Sequence, residues 1–131
     1  MTITMNLEVE VGSSLDEIVS VLFGMNANYV VEGSSLAGNF KESNCYFSFW
    51  YQTPPCDISA EGVDENWKVG LEGVFNSRIS SLAGSWSDIK IFLEILAKKT
   101  KLRFFLSFQY ESLYAVGDGF CVRFLKNMVD E

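Results

Sequence analysis

Between Ile3 and Val11 every second residue is apolar. Ile3, Met5, Leu7, Val9 and Val11 alternate with Thr4, Asn6, Glu8 and Glu10. A two-residue period places the two sets on opposite faces of an extended strand, one needing a core and one tolerating water. The same period returns where Leu102, Phe104, Leu106, Phe108 and Tyr110 alternate with Arg103, Phe105, Ser107 and Gln109. A chain with several such segments must build a sheet and cover one face of it.

Two segments carry the helical period instead. Ser14-Leu15-Asp16-Glu17 reads as a capping box, with Ser14 as N-cap and Glu17 reaching back to its amide. Leu15, Ile18, Val19, Leu22 and Phe23 share one face of the helix that follows, and Gly24 suits its C-terminus. A second helix is expected after Gly84, capped by Ser85 or Ser87. Its stripe is Ile89, Phe92, Leu93 and Leu96, widened by Ile91 and Ile95. Lys98, Lys99 and Lys101 gather at its C-terminal end, where the helix dipole favours cations.

Further strands are expected at Tyr29–Val31, Leu36–Phe40, Cys45–Tyr51, Trp67–Phe75 and Phe120–Leu125. Cys45–Tyr51 is the most apolar stretch, which suits an interior strand with helices on one side. Gly33-Ser34-Ser35 and Gly117-Asp118-Gly119 read as turns. The order is β-α-β-β-β-β-α-β-β. The reading is α+β: one domain spanning residues 1–131, with a mostly antiparallel sheet of about six to seven strands and both helices on one face. A chain of 131 residues buries enough surface for a core without disulfide or metal staples. No apolar run approaches the roughly 20 residues of a membrane span. Met1-Thr2-Ile3-Thr4-Met5 has neither the basic nor the apolar region of a secretory signal.

Thr53 to Asn66 breaks the pattern. Pro54-Pro55 cannot continue a ladder, and Asp57, Glu61, Asp64 and Glu65 follow around Gly62. This reads as the longest exposed loop, and it belongs to a wider asymmetry. Before Trp67 stand ten acidic residues and one basic residue, Lys41, a net of −9; from Trp67 onward nine basic and seven acidic residues give +2. An acidic surface repels nucleic acid and anionic lipid and attracts basic protein.

The chain has no histidine. That removes imidazole ligands and the Ser-His-Asp and Cys-His nucleophile arrangements. Cys45, Cys56 and Cys121 are too widely spaced for a zinc set and read as reduced thiols; the sequence leaves a Cys45–Cys56 bridge open without supporting it. Glu8 and Glu10 share the wet face of a strand, where solvated carboxylates are the rule. The Asp57–Glu65 loop lacks the ligand spacing of an EF-hand. Gly117-Asp118-Gly119 lacks the third glycine and following helix of a phosphate loop. Lys98, Lys99, Lys101 and Arg103 read as a solvated helix end. The expectation is a non-enzymatic protein without metal or cofactor, binding neither nucleic acid nor membrane. Asp57, Glu61, Asp64 and Glu65 would steer a partner, with Trp67 and Trp50 as aromatic anchors.

A chain of this size and acidity, with the helix–strand unit Ser87–Leu96 and Phe104–Tyr110, resembles the small immunity proteins of bacterial contact-dependent growth inhibition and related polymorphic toxin systems. That resemblance implies a cytoplasmic inhibitor in a 1:1 complex with a cognate toxin, a basic nuclease such as an RNase. It would block the active site or the approach of substrate. The sequence leaves two other classes open: an acidic secretion chaperone or other protein-binding adaptor, and a histidine-free enzyme using carboxylates or Cys121.

Overall fold

The computed structural model describes residues 2–129. Its elements are β1 (Thr2–Glu10), α1 (Leu15–Gly24), β2 (Asn28–Glu32), β3 (Ser35–Asn39), β4 (Tyr46–Cys56), β5 (Val69–Arg78), α2 (Leu82–Thr100), β6 (Arg103–Phe108), β7 (Ser112–Asp118) and β8 (Val122–Phe124). A 3-10 turn, Ile79–Ser81, leads into α2. The strands form one antiparallel sheet in the order β2-β3-β4-β5-β1-β6-β7-β8. The architecture is α+β. Among the described residues it has eight strands where about six to seven were expected, the added one being β7.

β1 lies inside the sheet, paired with β5 on one side and β6 on the other. α1 carries the chain from there to the β2 edge. A meander then returns strand by strand to β5. α2 carries it past β1 to β6, and a second meander runs outward to β8.

The two-residue period decides which face is covered. Met5, Leu7 and Val9 join Phe47, Phe49, Leu71, Phe75, Phe104 and Leu106 in one buried cluster with the apolar stripes of α1 and α2. Phe75 sits at its centre, with ring centroids 5.5 Å from Phe92, 5.7 Å from Phe49 and 6.2 Å from Phe40. Rings at these separations, two edge-on to Phe75 and one stacked on it, combine large apolar burial with favourable quadrupole geometry. Gly73 leaves the space that Phe49 fills, and a methyl group on it would overlap the ring.

The capping box of α1 is formed: the Glu17 amide donates to Ser14 Oγ at 3.3 Å, and the Ser14 amide donates to Glu17 Oε1 at 2.9 Å. The left-handed turn after α1 falls at Asn26 rather than Gly24. Phe23, expected on the inner face, is 76% exposed, and Val21 is buried instead. α2 begins before Gly84, so Ser85 and Ser87 lie within it and neither caps it. Ser85 is buried and accepts a 2.6 Å hydrogen bond from Ser77 on β5. Pro54-Pro55 interrupts the β4–β5 ladder as expected, but pairing resumes at Cys56 opposite Val69. Cys45 lies in the helix-side core, where burial pushes its thiol up to about 11. Cys56 packs on the other side of the sheet against Trp67 and Val69, and all three cysteines are free thiols. Among the described residues, no helix is long and apolar enough to cross a membrane.

Gly73→Ala is expected to lower the urea-unfolding free energy by about 1–3 kcal/mol, the usual range for overpacking. Adding Phe49→Leu to Gly73→Ala should cost less than Phe49→Leu alone, because the smaller side chain relieves the overlap.

Candidate protein-binding face

The face of the sheet away from the helices is built from the other half of each alternation. On β1 these residues are Thr4, Asn6, Glu8 and Glu10. Register places Glu8 directly across from Glu72 on β5 and Phe105 on β6. Glu8 was expected to be solvated. It is fully buried.

The reason is the segment 57–67. Rather than standing off as a loop, it lies across this face as a strap. Glu8 accepts the backbone amide of Ser59 at 2.7 Å and that of Ala60 at 3.0 Å. The Glu61 amide donates to the Tyr110 carbonyl at 2.7 Å. Ile58 and Val63 pack beside Trp67, Val69 and Phe105, a small second core beneath the strap. The Trp67 and Phe105 rings stack with centroids 5.2 Å apart.

A polar chain closes the C-terminal end of the strap. Glu10 takes Arg103 in a bidentate pair, 3.2 Å from Nε and 2.7 Å from Nη2, and also accepts the Arg103 backbone amide at 3.0 Å. The guanidinium lies 6.0 Å from the Trp67 ring centroid and 3.7 Å from Glu65 Oε1. Glu65 in turn accepts the Trp67 indole N–H at 3.0 Å. Asp57 pairs with Lys68 at the other end.

Beneath the strap, two carboxylates share a desolvated site. Glu72 accepts from Gln52 Nε2 and from the Tyr110 hydroxyl, the latter at 3.3 Å. Burial pushes the Glu8 carboxyl above its ordinary range, with the Glu72 charge adding to the effect; the Ser59 and Ala60 amides oppose it. Tyr110 is pushed up to about 12 by burial and by Glu72. Glu10 moves the other way, held below the ordinary range by the Arg103 guanidinium. Each Glu8 oxygen already accepts an amide, and Glu72 already has two donors. These contacts give Glu8 and Glu72 a holding role.

The structure therefore sorts the residues expected to bind a partner. Glu61 and Asp64 are exposed, on a backbone held from below. Asp57 and Glu65 are exposed too, but each is engaged with a cation of the chain itself. Trp67 is buried, 6% exposed, and serves the strap rather than a partner, a correction to its expected role as an exposed anchor. Trp50 lies on the same sheet side as the strap, on the half that the strap leaves uncovered. It stands one register pair from Glu72.

The anchoring can be tested by removing its acceptor. Glu8→Ala should speed exchange of the Ser59 and Ala60 amides at least tenfold and open a protease site within residues 57–66. The amides of β4 and β5 above Tyr51 should keep their protection. A second test uses acidity. A carboxyl raised in the folded state favours the protonated form there, so its contribution to stability grows as pH falls through the folded value towards the ordinary one. Wild type should gain stability relative to Glu8→Gln as pH is lowered in urea titrations. Glu10 has the opposite sign: its contribution is present above the ordinary carboxylate value and lost as pH falls through its lowered one. Glu10→Gln should therefore lose its deficit at acidic pH.

No protein-family model, curated protein or solved structure matches this chain.

Proposed function

We propose that this chain is a non-enzymatic inhibitor: an immunity protein that acts in the cytoplasm and neutralises a cognate toxin domain in a 1:1 complex. The observation that carries the reading is the strap. Its backbone is fixed by a buried carboxylate and a stacked tryptophan, with Glu65 beside Arg103 and an exposed Asp57–Lys68 pair between its two ends, while Glu61 and Asp64 point charge into solvent. A segment ordered before binding avoids the entropy cost that a flexible acidic loop would incur on docking.

The partner fitting such a surface is a basic protein. A nuclease carries cations where its substrate's phosphates sit, and carboxylates on a rigid strap can take those positions. Blocking substrate approach needs no chemistry from the inhibitor. Long-range attraction between the strap and a cationic cleft would speed encounter, and added salt would screen it.

Co-expression with the toxin domain, scored by growth, tests the role. Stopped-flow association of the two purified proteins tests the surface. Glu61→Lys with Asp64→Lys should slow association by about tenfold or more at low salt, while leaving the thermal transition in place. Loss of protection on co-expression should accompany it. Unchanged association and unchanged protection would remove the strap from the interface.

A further inference from the structure

We propose that the uncovered half of this face, from β2 to β5, receives an extended, arginine-bearing segment of the partner, with a guanidinium seated on Trp50. The proposal rests on the protein-binding reading above and names the element that the partner brings.

The chain's three tryptophans differ in one respect. The Trp67 indole N–H donates to Glu65 at 3.0 Å and its ring stacks on Phe105. The Trp86 indole N–H donates to Asn127 at 3.2 Å, and its ring meets Tyr114 and Phe124. Among the described residues, Trp50 has no hydrogen-bond acceptor for its N–H and no aromatic or cationic partner for its ring. It is half-buried, so ring and N–H remain within reach of solvent.

The register gives Trp50 an exposed acidic flank. Glu32 on β2 pairs with Ser35 on β3, Ser35 with Trp50, and Trp50 with Glu72 on β5. These four positions form one row across the sheet: Glu32 and Ser35 are exposed and Trp50 is half-buried, while Glu72 ends the row buried under the strap with Gln52 and Tyr110 as its donors. With strands about 4.8 Å apart, the exposed carboxylate of Glu32 lies two strands from Trp50. Only Ser35 stands between Trp50 and the exposed Glu32. A shallow depression beside it is lined by Val30, Glu32, Ser35, Leu36 and Ala37. Planar guanidinium can stack on an indole face and still direct its edge N–H groups towards a carboxylate such as that of Glu32, which a lysine ammonium does less well.

A second ring extends the platform. Tyr46 lies four residues before Trp50 on β4, with Ser48 between them on the same face and Tyr46 51% exposed. Four residues of strand span roughly 13 Å. A partner segment lying extended along β4 would bring its own residues i and i+4 over the two rings. The neighbours below are short: Ala37 and Asn39 on β3, Val74 and Asn76 on β5. Aromatic anchors among small amide and hydroxyl side chains are the composition of protein-binding surfaces. Among the described residues of β2 to β5, the one cation on this face is Arg78, beyond Asn76 at the far end of β5.

The test uses the intact protein with a nona-arginine peptide as probe, read by tryptophan emission and by calorimetry. Nona-arginine should shift or quench the emission, and nona-lysine should do so less. Trp50→Phe should abolish the emission change, and Trp50→Ala should weaken calorimetric affinity about tenfold. Glu32→Gln, on the exposed edge strand, should weaken it several-fold without touching the core. Full affinity for Trp50→Ala and Glu32→Gln would overturn the proposal. If in that case Glu61→Lys with Asp64→Lys still weakens binding, the strap reading stands and the platform alone falls. If none of these variants changes binding, both fall.

Discussion

Everything in this molecule hangs on the seat of β1 between β5 and β6. Pairing on both edges fixes the register of the strand, and register fixes which way every side chain points. Met5, Leu7 and Val9 then fall into the core under the helices. Asn6, Glu8 and Glu10 fall on the opposite face, where Glu8 takes the strap's Ser59 and Ala60 amides and Glu10 holds the Arg103 guanidinium that reaches Glu65. A slip of one residue would bury charge under the helices and leave the strap without its anchor.

The period of the sequence made much of this legible. The amphipathic strands, the capping box at Ser14 and the placement of both helices on one side all followed from spacing. What spacing could not convey was the second layer. Pro54-Pro55 and four carboxylates read as a solvated loop because each residue taken alone favours water. The signal to the contrary was weak: Ile58, Ala60 and Val63, three apolar residues spaced through an acidic tract. Glu8 was harder still. An alternating strand assigns its polar set to water, and only tertiary contact reveals that another segment has covered that face. β7 escaped notice because Gln109 and Tyr110 make a left-handed turn without glycine, a conformation that sequence rules assign elsewhere.

The charge asymmetry also changes meaning in three dimensions. Part of the acidic excess before Trp67 is matched by two cations from after it: Glu10 and Glu65 by Arg103, and Asp57 by Lys68. The exposed remainder on the open face is smaller and more localised than the net charge suggests, with Glu61 and Asp64 on the strap and Glu32 at the edge. Placement beside an unpartnered indole gives that remainder direction, which net charge alone lacks.

The inside position of β1 has a kinetic side. Glu10 and Arg103, which close the strap, lie 93 residues apart, and the Thr4–Asn76 hydrogen bond joins residues 72 apart. Neither meander can complete the sheet by itself, since each meets the other only through β1. Such long loop closures must precede the contacts that reward them, and chains of this kind fold slowly for their size. Until β6 arrives, one edge of β1 and the whole of its carboxylate-bearing face stay open, and the strap has nothing complete to lie on. The strap surface proposed to meet a partner is thus among the last parts of the molecule to form, and a chain halted midway would carry its acidic residues without the arrangement that gives them a use.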